Sequence, residues 1–290
     1  MLVLVAISVF LYPAQYTVNA APVSGLLISP LRSYPTLDPG ATTSGSITLS
    51  NLTKDQQIID LETELFSVVN ENYDYNFVPS QNASWVKFAD TQVVLSPKQT
   101  LSVAYSLAVP ADAAPGGHYF ALIASTNTAT SSSRLTEVRR LASLVYLQVN
   151  GILKKDSQLL SFEMPWFTSG RTVDIQAQLI NKGNTHFRAR LGVSATRQPF
   201  GRSIELTQAE NLILPGTVRR IGGTVTLPNM PGLYKIVVTY APPTGPVQTI
   251  RRTVLYIPLW LQLIVLAIGA AAGVWWMRYG RVRFKKSADS

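Results

Sequence analysis

The chain has 290 residues, 14% of them charged, with 18 prolines, 18 glycines and no cysteine. Disulfides, thiol catalysis and thiolate metal centres are thereby excluded, and the composition is neither that of a disordered chain nor that of a coiled coil. The net charge of +9 is unevenly spread: residues 21–150 hold 7 Lys/Arg against 10 Asp/Glu, 151–254 hold 13 against 5, and 278–290 hold 5 against 1.

At the N-terminus, LVLVAISVFLY (2–12) is an apolar run too short to span a bilayer, and Val18-Asn19-Ala20 offers small residues at the −3 and −1 positions of a cleavage site. Residues 1–20 therefore read as a signal peptide, although no Lys or Arg precedes the apolar run. From residue 21 onward the periodicity is two. Ile47 and Leu49 alternate with Ser and Thr in GSITLSN (45–51), and Leu101, Val103, Tyr105 and Leu107 alternate with Ser and Ala downstream. IIDLETELF (58–66) puts Asp60, Glu62 and Glu64 on one strand face, expected to be solvated, with Ile59, Leu61, Thr63 and Leu65 opposite.

NENYDYN (70–76) connects two extended segments. Amides beside aromatic rings suit a sugar or a peptide, so Asn70, Asn72, Tyr73, Asp74 and Tyr75 are candidate ligand-binding residues; the other reading is a plain hydrophilic connection. Asn72, Asp74 and Asn76 could offer oxygens to calcium, but the loop lacks the Gly and closing Glu of an EF-hand. NTATSSSR (127–134) reads as a long loop between the last two strands of a first domain, and NGILKKDS (150–157) as the boundary to a second.

The chain repeats itself. VVLSPKQTLSVAYSLAVPADAAPGGHYFALIAS (93–125) parallels LILPGTVRRIGGTVTLPNMPGLYKIVVTYA (212–241), with Pro97 and Pro110 spaced as Pro215 and Pro228 are. Upstream, alternating runs end at Asn51 and Asn181, each followed by a polar turn. Strands at this spacing with Pro/Gly/Asn turns predict antiparallel sandwiches, and a tyrosine after the turn into the penultimate strand suits a tyrosine corner. Tyr119 and Tyr234 are the candidates. Pro-Gly-Gly-His-Tyr in the first copy becomes Pro-Gly-Leu-Tyr in the second, so His118 lacks a counterpart in this alignment. With no nucleophile or orienting acid beside it, His118 reads as a strand-entry side chain and not a catalytic one. His186 lies in a polar turn without the carboxylates a metal site would need, and neither a metal nor a cofactor is implied. The sequons at Asn51 and Asn82 carry little weight.

Residues 255–277 (LYIPLWLQLIVLAIGAAAGVWWM) hold no charge and are long enough to cross a bilayer. Tyr256 and Trp260 near one end, with Trp275 and Trp276 at the other, suit interfacial belts. Arg278, Arg281, Arg283, Lys285 and Lys286 follow it, whereas Arg251 and Arg252 are the nearest basic residues before it. That asymmetry places the tail 278–290 in the cytoplasm and residues 21–254 outside the plasma membrane. Gly269 and Gly273 make a small-residue face for a helix partner. The expected fold is all-β: two tandem immunoglobulin-like β-sandwich domains, 21–150 and 151–254, followed by one transmembrane helix.

LDPGATTSGSITLSN (37–51), NENYDY (70–75), VVLSPKQTLSVAYSLAVP (93–110), PGGHYFALI (115–123) and RRLASLVYLQV (139–149) together resemble the first domain of the WxL-interacting surface proteins of Gram-positive-type bacteria. The resemblance implies a single-pass surface protein whose first domain is associated with cell-wall peptidoglycan and whose second contacts a host or partner protein. With no acid–base or nucleophile set in its motifs the chain reads as non-enzymatic, and the expected topology argues against nucleic acid. A second reading is an accessory or scaffolding subunit of a membrane complex, assembled through the helix.

Overall fold

The computed structural model describes residues 25–129, 136–207 and 210–280, so the signal-peptide reading of residues 1–20 and the tail beyond Gly280 lie outside the described residues. Among the described residues the chain is β-structured up to a C-terminal helix, apart from a short 3-10 turn at Gln81–Trp85. Its first half runs through β1 (Leu26–Ser29), β2 (Arg32–Ser33), β3 (Thr36–Leu37), β4 (Thr42–Asn51), β5 (Gln57–Val68), β6 (Tyr75–Val78), β7 (Val86–Phe88), β8 (Gln92–Leu95), β9 (Thr100–Ala108), β10 (Gly116–Ala129) and β11 (Thr136–Val149). One sheet has the order β1-β4-β9-β7; the other is β2-β11-β10-β5-β6, with β3 beside β11 and β8 beside β5. The period-two pattern does its expected work between them. Ile47, Leu49, Val103 and Leu107 from the first sheet meet Ile59, Leu61, Phe120, Leu122 and Leu147 from the second in one buried cluster.

The second half comprises β12 (Ser157–Glu163), β13 (Phe167–Thr168), β14 (Thr172–Asn181), β15 (Phe187–Ala189), β16 (Leu191–Arg197), β17 (Ser203–Thr207), β18 (Asn211–Ile213), β19 (Val218–Thr226), β20 (Gly232–Tyr240) and β21 (Gln248–Tyr256). β12-β14-β19 packs on β13-β21-β20-β16-β17, with Val173, Ile175, Leu179 and Val225 facing Val193, Ile236, Val238 and Tyr240. Asn51 and Asn181, the repeated asparagines, are fully buried and staple equivalent turns. Asn51 Nδ2 donates to the Asp55, Leu95 and Ser96 carbonyls; Asn181 Nδ2 donates to those of Thr185 and Ile213. Each Oδ1 accepts the backbone N–H two residues on, from Thr53 or Gly183.

Three sequence-based expectations change. Leu255 and Tyr256 belong to β21, and the helix α1 (Leu259–Trp275) starts only after Ile257 and Pro258. Tyr256 is 1% exposed in the core and not at an interfacial belt. A buried strand end and an apolar helix separated only by Ile257 and Pro258 make a single uncharged run, which composition does not divide. The 127–134 loop is shorter than read, because Asn127–Ala129 extend β10; residues 130–135 lie outside the described residues. Finally, Glu64 is 5% exposed and not solvated. Leu259–Arg278 is long and apolar enough to cross a membrane by length and composition, and none of it is buried in the protein.

Candidate functional site: the junction of the sandwiches and the open edge of β11

The outer face of the β5-β10-β11 sheet is graded along its strands. Cross-strand register aligns Phe66, Tyr119 and Tyr146 near one end, Glu64, Ala121 and Leu144 next, then Glu62, Ile123 and Ala142, and last Asp60, Ser125 and Arg140. The aromatic end is buried against the second sandwich, in one cluster with that sandwich's core. A sheet covered on both faces reads apolar at both parities. HYFALIA in β10 carries that signal, which a period-two reading passes over.

At the junction, His186 lies among three tyrosines. Its ring centroid is 5.7 Å from that of Tyr119, 5.8 Å from Tyr146 and 6.3 Å from Tyr34. Tyr119 Oη is 3.3 Å from His186 Nδ1. Burial, and then the neighbouring Arg188 charge, lower the His186 pKa to about 4, so the ring is neutral at pH 7. Burial likewise pushes the Tyr119 and Tyr146 hydroxyls above the ordinary phenol range. Arg188 stacks its guanidinium 4.8 Å over the Tyr34 ring. Gly116, at φ +136°, is needed here because a Cβ would lie 2.4 Å from the Asn184 carbonyl oxygen across the junction. The adjacent Gly117 N–H donates to that same oxygen at 2.8 Å.

The 70–76 loop docks on the second sandwich. Its amides close the turn on itself: Asn70 Nδ2 donates to Asp74 Oδ2, and Asn70 Oδ1 accepts from the N–H groups of Asn72 and Asp74. Asn70, Asn72 and Asp74 stay exposed, whereas Tyr73 is 6% exposed beneath Arg219, whose guanidinium lies 4.0 Å from the ring centroid. The Tyr73 hydroxyl accepts the Leu214 N–H and lies 2.7 Å from Thr217 Oγ1. Glu71 Oε2 accepts from both Gln178 and Arg220. Tyr75 turns the other way, its ring 5.6 Å from Phe66 and its hydroxyl 3.2 Å from that of Tyr146. Beside the loop, a cleft of about 340 Å³ is lined by Val69, Asn70, Glu71 and Thr217.

The two corner candidates part ways. Tyr234 Oη donates to the Met230 carbonyl four residues upstream at 2.7 Å. Tyr119 does not make that tie; its hydroxyl faces His186. His118 Nε2 lies 2.9 Å from the Ala114 carbonyl, again four residues upstream, with its ring 4.7 Å from Trp85. The proper alignment is therefore Pro-Gly-Gly-His on Pro-Gly-Leu-Tyr: His118, not Tyr119, is the counterpart of Tyr234. One residue of register moves a side chain to the opposite face of a strand, which is how Tyr119 comes to lie in the junction.

The other feature is an open edge. β2 and β3 add to β11 only at Leu144–Val145 and Gln148–Val149, so from Thr136 to Ser143 no strand among the described residues pairs with its outer edge. The Leu144 and Gln148 N–H groups donate outward to Leu31 and Pro35; the same alternation aims those of Arg140 and Ala142 at the open edge. Beside this edge is a groove of about 490 Å³, lined by Leu31, Arg32, Tyr75, Phe77, Ala142 and Leu144. Arg140, two residues along β11 from Ala142, donates to Glu62 and to buried Glu64 at 2.9 Å each. Among the described residues, no cluster of His, Cys, Asp or Glu could hold a metal ion. Gly269 and Gly273 lie on α1, and a Cβ added at either would meet no atom within 4 Å beyond the helix's own backbone.

No family model matches the sequence, and no curated protein matches it. Solved structures do align with it. Over 81% of this chain and 100% of theirs, they include the class 5 fimbriae chaperone CfaA, at 13% identity and TM-score 0.40. The structure of the CsuC–CsuE chaperone–tip adhesion subunit pre-assembly complex of Acinetobacter baumannii Csu pili aligns with the same coverage, identity and score. A PapD-like domain of human CEP192 matches 51% of the chain and 98% of its own, at 14% identity and TM-score 0.31.

Proposed function

We propose that this is a non-enzymatic, membrane-held protein whose two immunoglobulin-like sandwiches, locked at the junction, bind another surface protein by adding one of its extended segments to the open edge of β11. The observation that carries this reading is the edge itself. Among the described residues no strand pairs with the outer edge of β11 before Leu144, so the outward backbone groups at Arg140 and Ala142 are a template for a further strand, and folded proteins commonly blunt or cover such an edge. The adjoining groove gives alternate side chains of that strand an apolar seat at Leu31, Phe77 and Leu144. Backbone pairing supplies affinity and the groove supplies selectivity. α1 holds the sandwiches at a membrane, with Leu259–Arg278 as the span. Cell-wall polymer, which the resemblance to WxL-interacting proteins implies, is the competing ligand.

The test places a photo-crosslinking side chain at Leu31, on the rim of the groove, in the full chain expressed in cells. Ala142→Pro removes one outward N–H from the edge and leaves β10 pairing intact. Protein adducts from Leu31 that fall at least about tenfold in Ala142→Pro, the fall expected for a loss of roughly 1.4 kcal/mol, support strand addition. Adducts insensitive to Ala142→Pro, or absent while the protein still co-sediments with protein-stripped sacculi, would refute it.

A further inference from the structure

Large apolar side chains collect at the end of the second sandwich from which α1 leaves. Register brings that end together: Gly232 of β20 lies opposite Tyr256 of β21, Phe167 of β13 opposite Leu255, and Arg197 of β16 opposite Tyr234. There Phe200 is 97% exposed, Trp166 75%, Met230 56% and Leu233 49%. They come from three separate connections and β20, so no single local sequence accounts for them. A folded surface rarely groups such residues without a partner to cover them.

The connection to α1 indicates which partner. Only Ile257 and Pro258 separate β21 from the helix, and Pro258 is buried. Leu255 N–H donates to the Trp166 carbonyl and Ile257 N–H to that of Thr168, while Gln262 Nε2 returns to the Ile257 carbonyl. The sandwich thus has no flexible spacer to lift it away from the start of the helix. The exposed cations Arg202 and Lys235 each follow by two residues one of the apolar tips, Phe200 and Leu233.

We propose that this end of the second sandwich is a lipid-contact surface: Trp166, Phe200, Met230 and Leu233 enter the headgroup layer around α1, with Arg202 and Lys235 against anionic headgroups, and so fix the tilt of both sandwiches over the bilayer. Aromatic rings with a polar edge and long apolar side chains favour that layer, and nearby cations add attraction to acidic lipids. The inference rests on α1 spanning the membrane.

Because the chain lacks cysteine, single cysteines can be labelled without ambiguity. The full chain, in vesicles of phosphatidylcholine with a minority of phosphatidylglycerol, carries a polarity-sensitive fluorophore at Phe200→Cys, at Val247→Cys beyond the opposite end of that sheet, or at Ile268→Cys within α1. We expect the Phe200 label to be quenched by headgroup-level nitroxide lipids and shielded several-fold from aqueous iodide relative to the Val247 label, with the Ile268 label quenched by deep nitroxides. A Phe200 label as open to iodide as the Val247 label, with Ile268 still quenched from the acyl region, overturns this inference and leaves the span intact. Iodide access at Ile268 overturns the span, and the inference with it.

Discussion

Tyr73→Phe removes one oxygen from the junction and leaves the rest of the contact in place. In the native protein, Leu214 N–H donates to the Tyr73 hydroxyl, and Thr217 Oγ1 donates to the Leu214 carbonyl at 2.8 Å. With the Thr217 proton engaged there, the Tyr73 hydroxyl donates to Thr217 Oγ1, which closes a ring of three bonds. Phenylalanine keeps the buried ring beneath Arg219 but leaves the Leu214 N–H without an acceptor in a buried place. An orphaned buried donor costs about 1–3 kcal/mol. For a unit of this size, each kcal/mol moves the melting temperature by roughly 2–4 °C, so a central cost of about 2 kcal/mol lowers Tm by roughly 4–8 °C. Thermal unfolding of the full chain in detergent, followed by tyrosine near-ultraviolet dichroism, measures it. A double-mutant cycle with Thr217→Val should show a coupling of about 0.5–3 kcal/mol. A Tm within about 1 °C of the native value would refute the argument that this loop is clamped to the second sandwich.

His186 makes the junction sensitive to acid. Its pKa is lowered in the folded protein, from 6.5 to about 4, so the unfolded chain binds the proton more readily and stability falls as pH drops from about 6.5 towards 4. Urea unfolding at a series of pH values should show a shallower loss over that window in His186→Gln than in the native protein; equal slopes would remove His186 from the account. Asn181→Asp replaces an amide that donates to the buried carbonyls of Thr185 and Ile213 with a group that cannot donate when ionised. Its cost should reach at least about 2 kcal/mol in chemical denaturation, with Asn51→Asp comparable because its turn is built the same way.

Much of the fold was legible because it depends on local period and on turn chemistry. Alternation at Ile47/Leu49 and Val103/Leu107 selects the face that enters the first core, and the paired asparagines mark homologous turns, whatever surrounds them. The candidate site was less legible. NENYDYN was conspicuous in the sequence, but whether Tyr73 points to solvent or into a second sandwich depends on Leu214, Thr217 and Arg219, well over a hundred residues away. Glu64 looked solvated by parity alone, because its partner Arg140 comes from a strand that reaches it only across β10.

The sequence by itself determined strand periodicity, the duplicated module, the absence of thiol chemistry and an uncharged segment long enough for a bilayer, because each is a property of neighbouring residues or of composition. Tertiary structure alone decided where that segment divides between β21 and α1, which of His118 and Tyr119 takes the corner, and that among the described residues no strand covers the β11 edge beside the groove before Leu144. Those outcomes depend on register and on which sheet face another layer covers, and both are settled by contacts between residues far apart in the chain.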